Sequence, residues 1–135
     1  MKPVHLSMNE FVDLARRVID ELPEPFLGWL ENVAVDVEIA PTRQMLVDVG
    51  LDPELDTLMG LFEGEPVTEQ EYGQHAPNRI YLFKRSIEEA CRSRPEVAYE
   101  IRRTIIHELA HHFGYSEEDL EEFESRDSPF DDKTE

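Results

Sequence analysis

Near the N-terminus, apolar residues recur at the spacing of an α-helix. Residues 7–22 carry them every three or four positions, and Ser7 with Glu10 has the spacing of a capping box, so we predict an amphipathic helix there. Residues 25–30 form a second apolar stretch, which predicts a short helix. We interpret its Trp29 as a core residue rather than a ligand-stacking one.

Three later stretches have the pattern of β-strands. Residues 33–40 alternate apolar and polar side chains, as in a strand with one buried face. Residues 58–62 are a short apolar run, and residues 79–83 are rich in side chains that favour strands. Between them, residues 44–57 are predicted as an acidic connection with a short helical turn at residues 53–56, and residues 65–78 as a loop. These stretches predict a small sheet of three strands.

A long helical pattern begins at Arg94 and Pro95 and ends at Gly114, after a short helix predicted over residues 86–90 with Ser86 as its cap. Its apolar residues form a broad face: Val97, Ala98, Ile101, Ile105, Ile106, Leu109, Ala110 and Phe113. Its polar residues form one narrower stripe: Glu100, Thr104, His107 and His111. A helix with this division of faces is expected to line a cleft.

His107, Glu108 and His111 in this helix form the pattern H-E-x-x-H. Residues four apart lie on the same side of a helix, so the two imidazoles can point at one Zn²⁺ ion. Glu108 is offset by one residue and can reach a water on the ion, which is the position of a general base in metal-assisted hydrolysis. His112 lies about 100° around the helix from His111, so we interpret it as a supporting or packing residue.

The third zinc ligand is expected soon after Gly114. In the extended pattern H-E-x-x-H-x-x-G-x-x-H the last position is residue 117, and here it holds Glu117, whose carboxylate is a competent zinc ligand. Ser116 and Asp119 have the spacing of a capping box that opens a new helix, predicted to run to about residue 124. Glu118 and Asp119 stay as alternative ligands, because local geometry does not follow from spacing.

The residues around the motif resemble the small bacterial minimal zincin-like metallopeptidases. The resemblance is carried by residues 107–114, with their doubled histidine and Phe-Gly, and by residues 60–64 and 77–83; it spans roughly residues 11–123. It implies an α+β zincin-like fold, in which a small, mostly three-stranded sheet packs on the H-E-x-x-H helix and its flanking helices. It also implies zinc on two histidines and an acidic residue. That residue is often aspartate in related patterns, so Glu117 is a departure.

The length of 135 residues predicts one domain, which we place at residues 1–125, with residues 126–135 as an acidic, flexible tail. We expect no membrane-spanning segment, because no apolar run reaches the required length. Cys91 is the only cysteine, which excludes an internal disulfide and favours a reducing, cytoplasmic location. As a nucleophile Cys91 is disfavoured, because a lone cysteine near an apolar segment is usually packed and inert. We expect the protein to be a monomer.

The formal net charge is −18, which argues against nucleic acid and anionic membranes as partners. The charge is uneven, since residues 44–78 contain no Lys or Arg at all. Most carboxylates are expected on the solvated surface, where they permit attraction of basic substrates. The partner that the motif predicts is a peptide or protein substrate.

Two functions follow from these features. The first is a zinc metallopeptidase, with zinc on His107, His111 and Glu117 and with Glu108 as the base. The second is a non-catalytic, zinc-stabilised module that binds partner proteins through its acidic surface. An intact Glu108 favours the enzyme, because a structural site does not need a base. No spacing identifies a second oxyanion donor; by residue type the candidates are Tyr115, Tyr72 and His75.

Overall fold

The chain forms five α-helices and three β-strands within residues 2–64, 78–116 and 118–119, the ranges that the computed structural model describes. In chain order they are α1 (Met8–Asp20), α2 (Phe26–Trp29), β1 (Val33–Glu38), α3 (Arg43–Asp48), β2 (Gly60–Glu63), β3 (Asn78–Phe83), α4 (Lys84–Glu89) and α5 (Arg94–His112). A 3₁₀ turn, Leu30–Asn32, joins α2 to β1. Within these ranges, none of the helices combines the length and the apolar character needed to cross a bilayer.

The strands form one mixed sheet in the order β1-β3-β2, which confirms the predicted three-stranded sheet. β1 runs parallel to β3, with Val35 opposite Ile80, and β2 runs antiparallel to β3, with Leu61 opposite Tyr81. β2 begins two residues later than predicted, at Gly60. Because β3 lies in the middle, β2 is an edge strand of the sheet as far as the described residues extend.

The long helix predicted from the sequence is α5. It begins at Arg94, as predicted, and Ser93 is its cap, with a hydroxyl that accepts the Glu96 backbone N–H at 3.3 Å. Pro95 lies in the first turn, where a missing N–H costs no helical hydrogen bond. At the other end Gly114 adopts a φ of +96°, a left-handed conformation that glycine takes without strain, so the chain turns there as predicted.

The apolar face of α5 forms the centre of the core. Four of its side chains, spaced four residues apart, are fully buried: Val97, Ile101, Ile105 and Leu109. They belong to one cluster with Cys91, which follows α4, and with residues of α1, α2, β3 and α4, including Phe11, Leu14, Val18, Phe26, Ile80, Leu82 and Ile87. Burying a side chain of this size contributes about 1.5–3 kcal/mol. The packing of this face therefore holds α5 in one orientation against the sheet.

Two elements differ from the prediction. α3 begins at Arg43 and extends into the stretch predicted as an acidic connection; it is capped by Thr42, whose hydroxyl accepts the Met45 N–H at 3.0 Å. The helix was not expected because its apolar residues are consecutive, at positions 45–47, and show no helical period. The turn predicted at residues 53–56 is present, since the Asp56 N–H donates to the Asp52 carbonyl at 2.8 Å. Ser86 was predicted as a helix cap, which is wrong: it lies inside α4, and its hydroxyl is hydrogen-bonded to that of Thr57 at 2.7 Å. α4 follows β3 directly, without a side-chain cap.

A buried ion pair anchors the segment that precedes α1. Lys84 Nζ and Glu88 Oε2 lie 3.0 Å apart on α4, and their side chains are only 8% and 6% exposed. Glu88 also accepts the backbone N–H of Leu6 at 3.1 Å. Directly after Leu6, Ser7 and Glu10 form the predicted capping box with bonds of 2.8 and 3.1 Å. Glu88 thus connects the start of α1 to α4.

We predict that Glu88→Ala lowers the free energy of unfolding by about 3–5 kcal/mol, because it leaves the Lys84 ammonium buried without its carboxylate. Chemical denaturation followed by circular dichroism measures the change. Arg43→Ala is the control: it breaks an ion pair with Glu54 whose side chains are 70% and 71% exposed. The control should cost no more than about 1 kcal/mol. Similar small losses in both variants would contradict this role of Glu88.

Candidate metal centre

The two histidines of the H-E-x-x-H pattern converge in space. On α5 the Nε2 atoms of His107 and His111 are 3.1 Å apart, and the rings meet at 72° with their centroids 4.5 Å apart. Two nitrogens bound tetrahedrally to one zinc ion at about 2.0–2.1 Å would be separated by roughly 3.3 Å. Both imidazoles are at least partly accessible to solvent. Their arrangement therefore fits a shared Zn²⁺ ion with almost no rearrangement.

The chain reverses direction immediately after these histidines. The Gly114 N–H donates to the His111 carbonyl at 3.1 Å, and the Tyr115 N–H donates to the Ala110 carbonyl at 2.8 Å, which closes the helix end. Ser116 and Asp119 then form the predicted capping box: the Asp119 N–H donates to Ser116 Oγ at 3.2 Å, and the Ser116 N–H donates to Asp119 Oδ2 at 2.9 Å. These bonds confirm the predicted pairing of Ser116 with Asp119.

The third ligand predicted from the sequence, Glu117, lies outside the described residues. Its two alternatives are described and exposed. Asp119 already accepts hydrogen bonds from the backbone and hydroxyl groups of Ser116. In the described ranges, no three side chains of the His, Cys, Asp and Glu types form a group that could hold a metal ion. Neither Glu118 nor Asp119 therefore completes a site with the two histidines in this arrangement, and Glu117 stays a prediction.

The carboxylate of Glu108 is held by the edge strand. Its Oε1 accepts the backbone N–H of Phe62 at 3.0 Å. This N–H points away from β3 because antiparallel strands alternate in the direction of their backbone groups. The Met59 carbonyl accepts a hydrogen bond from the Phe83 N–H. The backbone N–H and C=O groups at positions 59, 61 and 63 therefore point toward β3, and those at positions 60 and 62 point outward. Glu108 thus accepts a hydrogen bond from an outward-pointing N–H group of β2.

One turn before Glu108, α5 and β2 pack so closely that only glycine fits on the strand. A Cβ atom at Gly60 would overlap the Cγ2 atom of Thr104 and would lie 2.9 Å from the Tyr81 carbonyl oxygen. Thr104 is 9% exposed, so its methyl group has little room to move. The absence of a side chain at Gly60 therefore sets the separation of β2 from the helix that carries Glu108.

One turn after Glu108, His112 stacks on Phe62 with ring centroids 4.1 Å apart and an interplanar angle of 19°. Burial lowers the pKa of His112 below its ordinary value, because the charged ring would lose solvation. This agrees with the interpretation of His112 as a packing residue.

Together Thr104, Glu108 and His112 form a row at intervals of four, which we call the strand-facing row. Thr104 belongs to this row as well as to the polar stripe predicted from the sequence, since it lines one cleft with Glu100 and His107.

A cleft of about 330 Å³ opens between α5 and the start of β2. It is lined by Leu58, Met59, Gly60, Glu100, Arg103, Thr104, His107 and Glu108. The carboxylate of Glu100 and the guanidinium of Arg103 lie 3.5 Å apart, and Arg103 also lies 5.8 Å from the ring centroid of Tyr99. The cleft thus brings a predicted ligand, the predicted base and an ion pair to one concave surface. Of the polar stripe predicted on α5, Glu100, Thr104 and His107 line this cleft, and His111 is not among its lining residues.

Comparison with known protein families matches residues 30–126 to the zincin-like metallopeptidases. The match covers more than half of the chain and includes the three strands, the H-E-x-x-H helix and the turn after it. The chain belongs to the zincin-like metallopeptidase family. The resemblance seen in the sequence is thereby confirmed, and so is the α+β fold with its small mixed sheet. No curated protein matches the chain.

Other residues considered for the chemistry of this family member have packing contacts or lie outside the described ranges. Tyr115 packs against Trp29, with ring centroids 5.7 Å apart, and Trp29 also stacks on Phe113 at 4.6 Å. Tyr72 and His75 lie outside the described residues. Cys91 is fully buried, and burial together with the charge of Glu100 raises its pKa to about 11. Its thiol stays protonated at neutral pH, which agrees with a packing role.

We predict that Gly60→Ala lowers the free energy of unfolding by about 1–3 kcal/mol, because the added methyl group overlaps Thr104 and forces β2 away from α5. Thermal or chemical denaturation measures the loss. The double variant Gly60→Ala/Thr104→Ser removes the overlapping Cγ2 atom and should recover part of it, relative to Thr104→Ser alone. Strictly additive effects of the two substitutions would contradict the close packing described here.

Proposed function

We propose that this protein is a zinc-dependent metallopeptidase that hydrolyses peptide bonds, with Glu108 as the general base. The observation that supports this most is the convergence of the His107 and His111 Nε2 atoms to 3.1 Å, with Glu108 lining the same cleft as His107. Membership in the zincin-like metallopeptidase family supports the same reaction class. A zinc site with a neighbouring carboxylate base is the arrangement that metal-assisted hydrolysis requires.

Two imidazoles and one carboxylate form the donor set that we propose for the metal. His107 and His111 would hold Zn²⁺ through their Nε2 atoms, and Glu117 would supply the third bond from its place just after the Gly114 turn. Zinc in such a site supplies Lewis acidity, which lowers the pKa of water toward about 7 and polarises a carbonyl group.

Glu108 would move the protons of the reaction. Its carboxylate takes a proton from the attacking water as the oxygen bonds to the peptide carbonyl carbon, and then donates that proton to the leaving amine nitrogen as the C–N bond breaks. The Phe62 N–H on Oε1 restrains the rotation of the carboxylate. A base held in this way pays less orientational entropy when the reaction begins.

The edge strand β2 is the element that we propose for binding an extended peptide. Within the part of the chain that the structure describes, β3 is paired on both sides and β2 on one, so β2 rather than β3 offers a sheet edge. An extended chain can add to an exposed sheet edge through backbone hydrogen bonds. Because Phe62 N–H is bonded to Glu108, pairing would use the outward-facing groups near Gly60, where the cleft begins.

We predict that the purified wild-type protein, supplied with zinc, holds about one Zn²⁺ ion per chain, because two imidazoles and a carboxylate suffice for a catalytic zinc site. Mass spectrometry under native conditions and elemental analysis measure the content. His107→Ala and His111→Ala should each lose most of the metal. His5→Ala is the matched control, because His5 is an exposed histidine that contacts α4 rather than this site.

The same measurement distinguishes the possible third ligands. Glu117→Ala should weaken zinc binding by roughly tenfold or more, whereas Glu118→Ala and Asp119→Ala should leave it near the wild-type value. If the wild-type protein binds no zinc, the proposed site is wrong. If zinc binds but the affinity responds only to Glu118→Ala or Asp119→Ala, the assignment of the third ligand is wrong.

We predict that Glu108→Gln retains zinc but lowers the rate of peptide cleavage by roughly 10²–10⁴-fold, because an amide cannot act as the base. A library of fluorescence-quenched peptides, assayed before and after chelation, measures the activity. Glu38→Gln, on the exposed end of β1, is the matched control and should cleave at the wild-type rate. Zinc binding without cleavage in the wild-type protein would instead favour the non-catalytic interaction module.

A further inference from the structure

The strand-facing row of α5 contacts the edge strand β2 at three successive turns. Thr104 contacts Gly60, Glu108 accepts the Phe62 N–H, and His112 stacks on the Phe62 ring. On the opposite side β2 pairs with β3 over only four residues. A strand this short has few ladder hydrogen bonds of its own, so the contacts with α5 contribute a large share of its positional restraint.

Phe62 connects two successive turns of α5 at once. Its backbone N–H reaches Glu108 Oε1 at 3.0 Å, while its ring lies against the ring of His112, four residues further along the helix. Residues four apart are stacked along one side of a helix, separated by about 6 Å. The ring contact and the amide contact are therefore parts of one rigid link: if the ring of Phe62 moves away from His112, its backbone N–H moves relative to Glu108.

We propose that His112 and Phe62 are positioning residues for Glu108, and that the stacked rings hold the β2 backbone at the height where its amide orients the carboxylate. This inference rests on the proposed role of Glu108 as the general base. The imidazole of His112 acts through its aromatic face, and neither of its nitrogens takes part in the reaction. Gly60 contributes to the same arrangement, because the absence of a side chain there lets β2 come close enough to α5 for the Phe62 amide to reach the Glu108 carboxylate.

The size of the effect follows from the geometry that proton transfer needs. A base must lie within hydrogen-bond reach of the proton that it takes, and a misplacement of about 1 Å can cost roughly 100-fold in rate. Losing the stack would not remove Glu108 or either histidine. It would widen the range of positions that the carboxylate samples, so the turnover rate should fall while substrate binding and zinc binding change little.

Two substitutions at one position separate this role from its alternatives. His112→Ala removes the ring, and His112→Phe keeps an aromatic face but removes both nitrogens. With zinc saturating and a library peptide that the wild-type protein cleaves, His112→Ala should lower kcat by roughly 10–100-fold, with KM within about twofold and unchanged zinc content. His112→Phe should recover most of this loss. A His112→Phe variant as slow as His112→Ala would overturn the proposal, because the nitrogens would then matter.

Hydrogen exchange tests the same link without any need for activity. In the zinc-loaded protein, the Phe62 amide should exchange roughly tenfold faster in His112→Ala than in the wild type, and His112→Phe should restore its protection. Tyr99→Ala is the control, because Tyr99 is an exposed aromatic residue of α5 that packs against Arg103, more than three turns before His112, so its loss should leave the Phe62 amide unchanged. The Ile80 amide in β3 should be unaffected in every variant.

The two measurements also distinguish this inference from the proposed function. Equal exchange of the Phe62 amide in the wild type and His112→Ala would overturn the positioning role, while zinc-dependent cleavage that requires Glu108 would still stand. Faster exchange in His112→Ala together with full activity of Glu108→Gln would overturn Glu108 as the base, and the positioning proposal with it. Faster exchange combined with a loss confined to kcat supports both.

Discussion

The helical repeat of α5 is the constraint on which the rest of the structure depends. Residues four apart lie on one side of the helix, and consecutive residues differ by about 100°. The helix therefore presents a core row at positions 97, 101, 105 and 109, the strand-facing row at 104, 108 and 112, and the imidazole row at 107 and 111. Because Glu108 directly follows His107, the predicted base and the predicted ligand face neighbouring surroundings. The sheet holds Glu108, and a metal ion would hold His107.

This division of faces explains why the small sheet matters to the chemistry. The core row fixes the rotation of α5, and the mixed order β1-β3-β2 brings an antiparallel edge strand to the helix at Gly60 and Phe62. The carboxylates that line the cleft contact groups of the protein itself: Glu108 is bonded to a backbone amide and Glu100 is paired with Arg103. In a chain with a net charge of −18, this pairing keeps the cleft from being a purely repulsive, acidic surface.

Local features of the sequence predicted α5 and the two histidines proposed as zinc ligands. The helical period, the capping residues and the spacing of His107 and His111 all lie within one continuous segment. The capping box of Ser116 and Asp119 was predicted for the same reason. The contact between His112 and Phe62 joins residues fifty positions apart, so no local pattern indicates it. Likewise, the choice of β2 over β3 as the edge strand depends on strand pairing. The interval of four between Thr104, Glu108 and His112 is visible in the sequence. That these three residues face β2 depends on the strand's position in the fold, which the interval does not indicate.

A crystal structure of the zinc-loaded protein, with anomalous difference maps recorded at the zinc absorption edge, tests the central claim most directly. The account predicts a single strong peak within about 2.0–2.1 Å of both the His107 and His111 Nε2 atoms, with a carboxylate oxygen from the segment after Gly114 as a further ligand. A peak bound to only one of the two imidazoles, or located elsewhere on the chain, would contradict it.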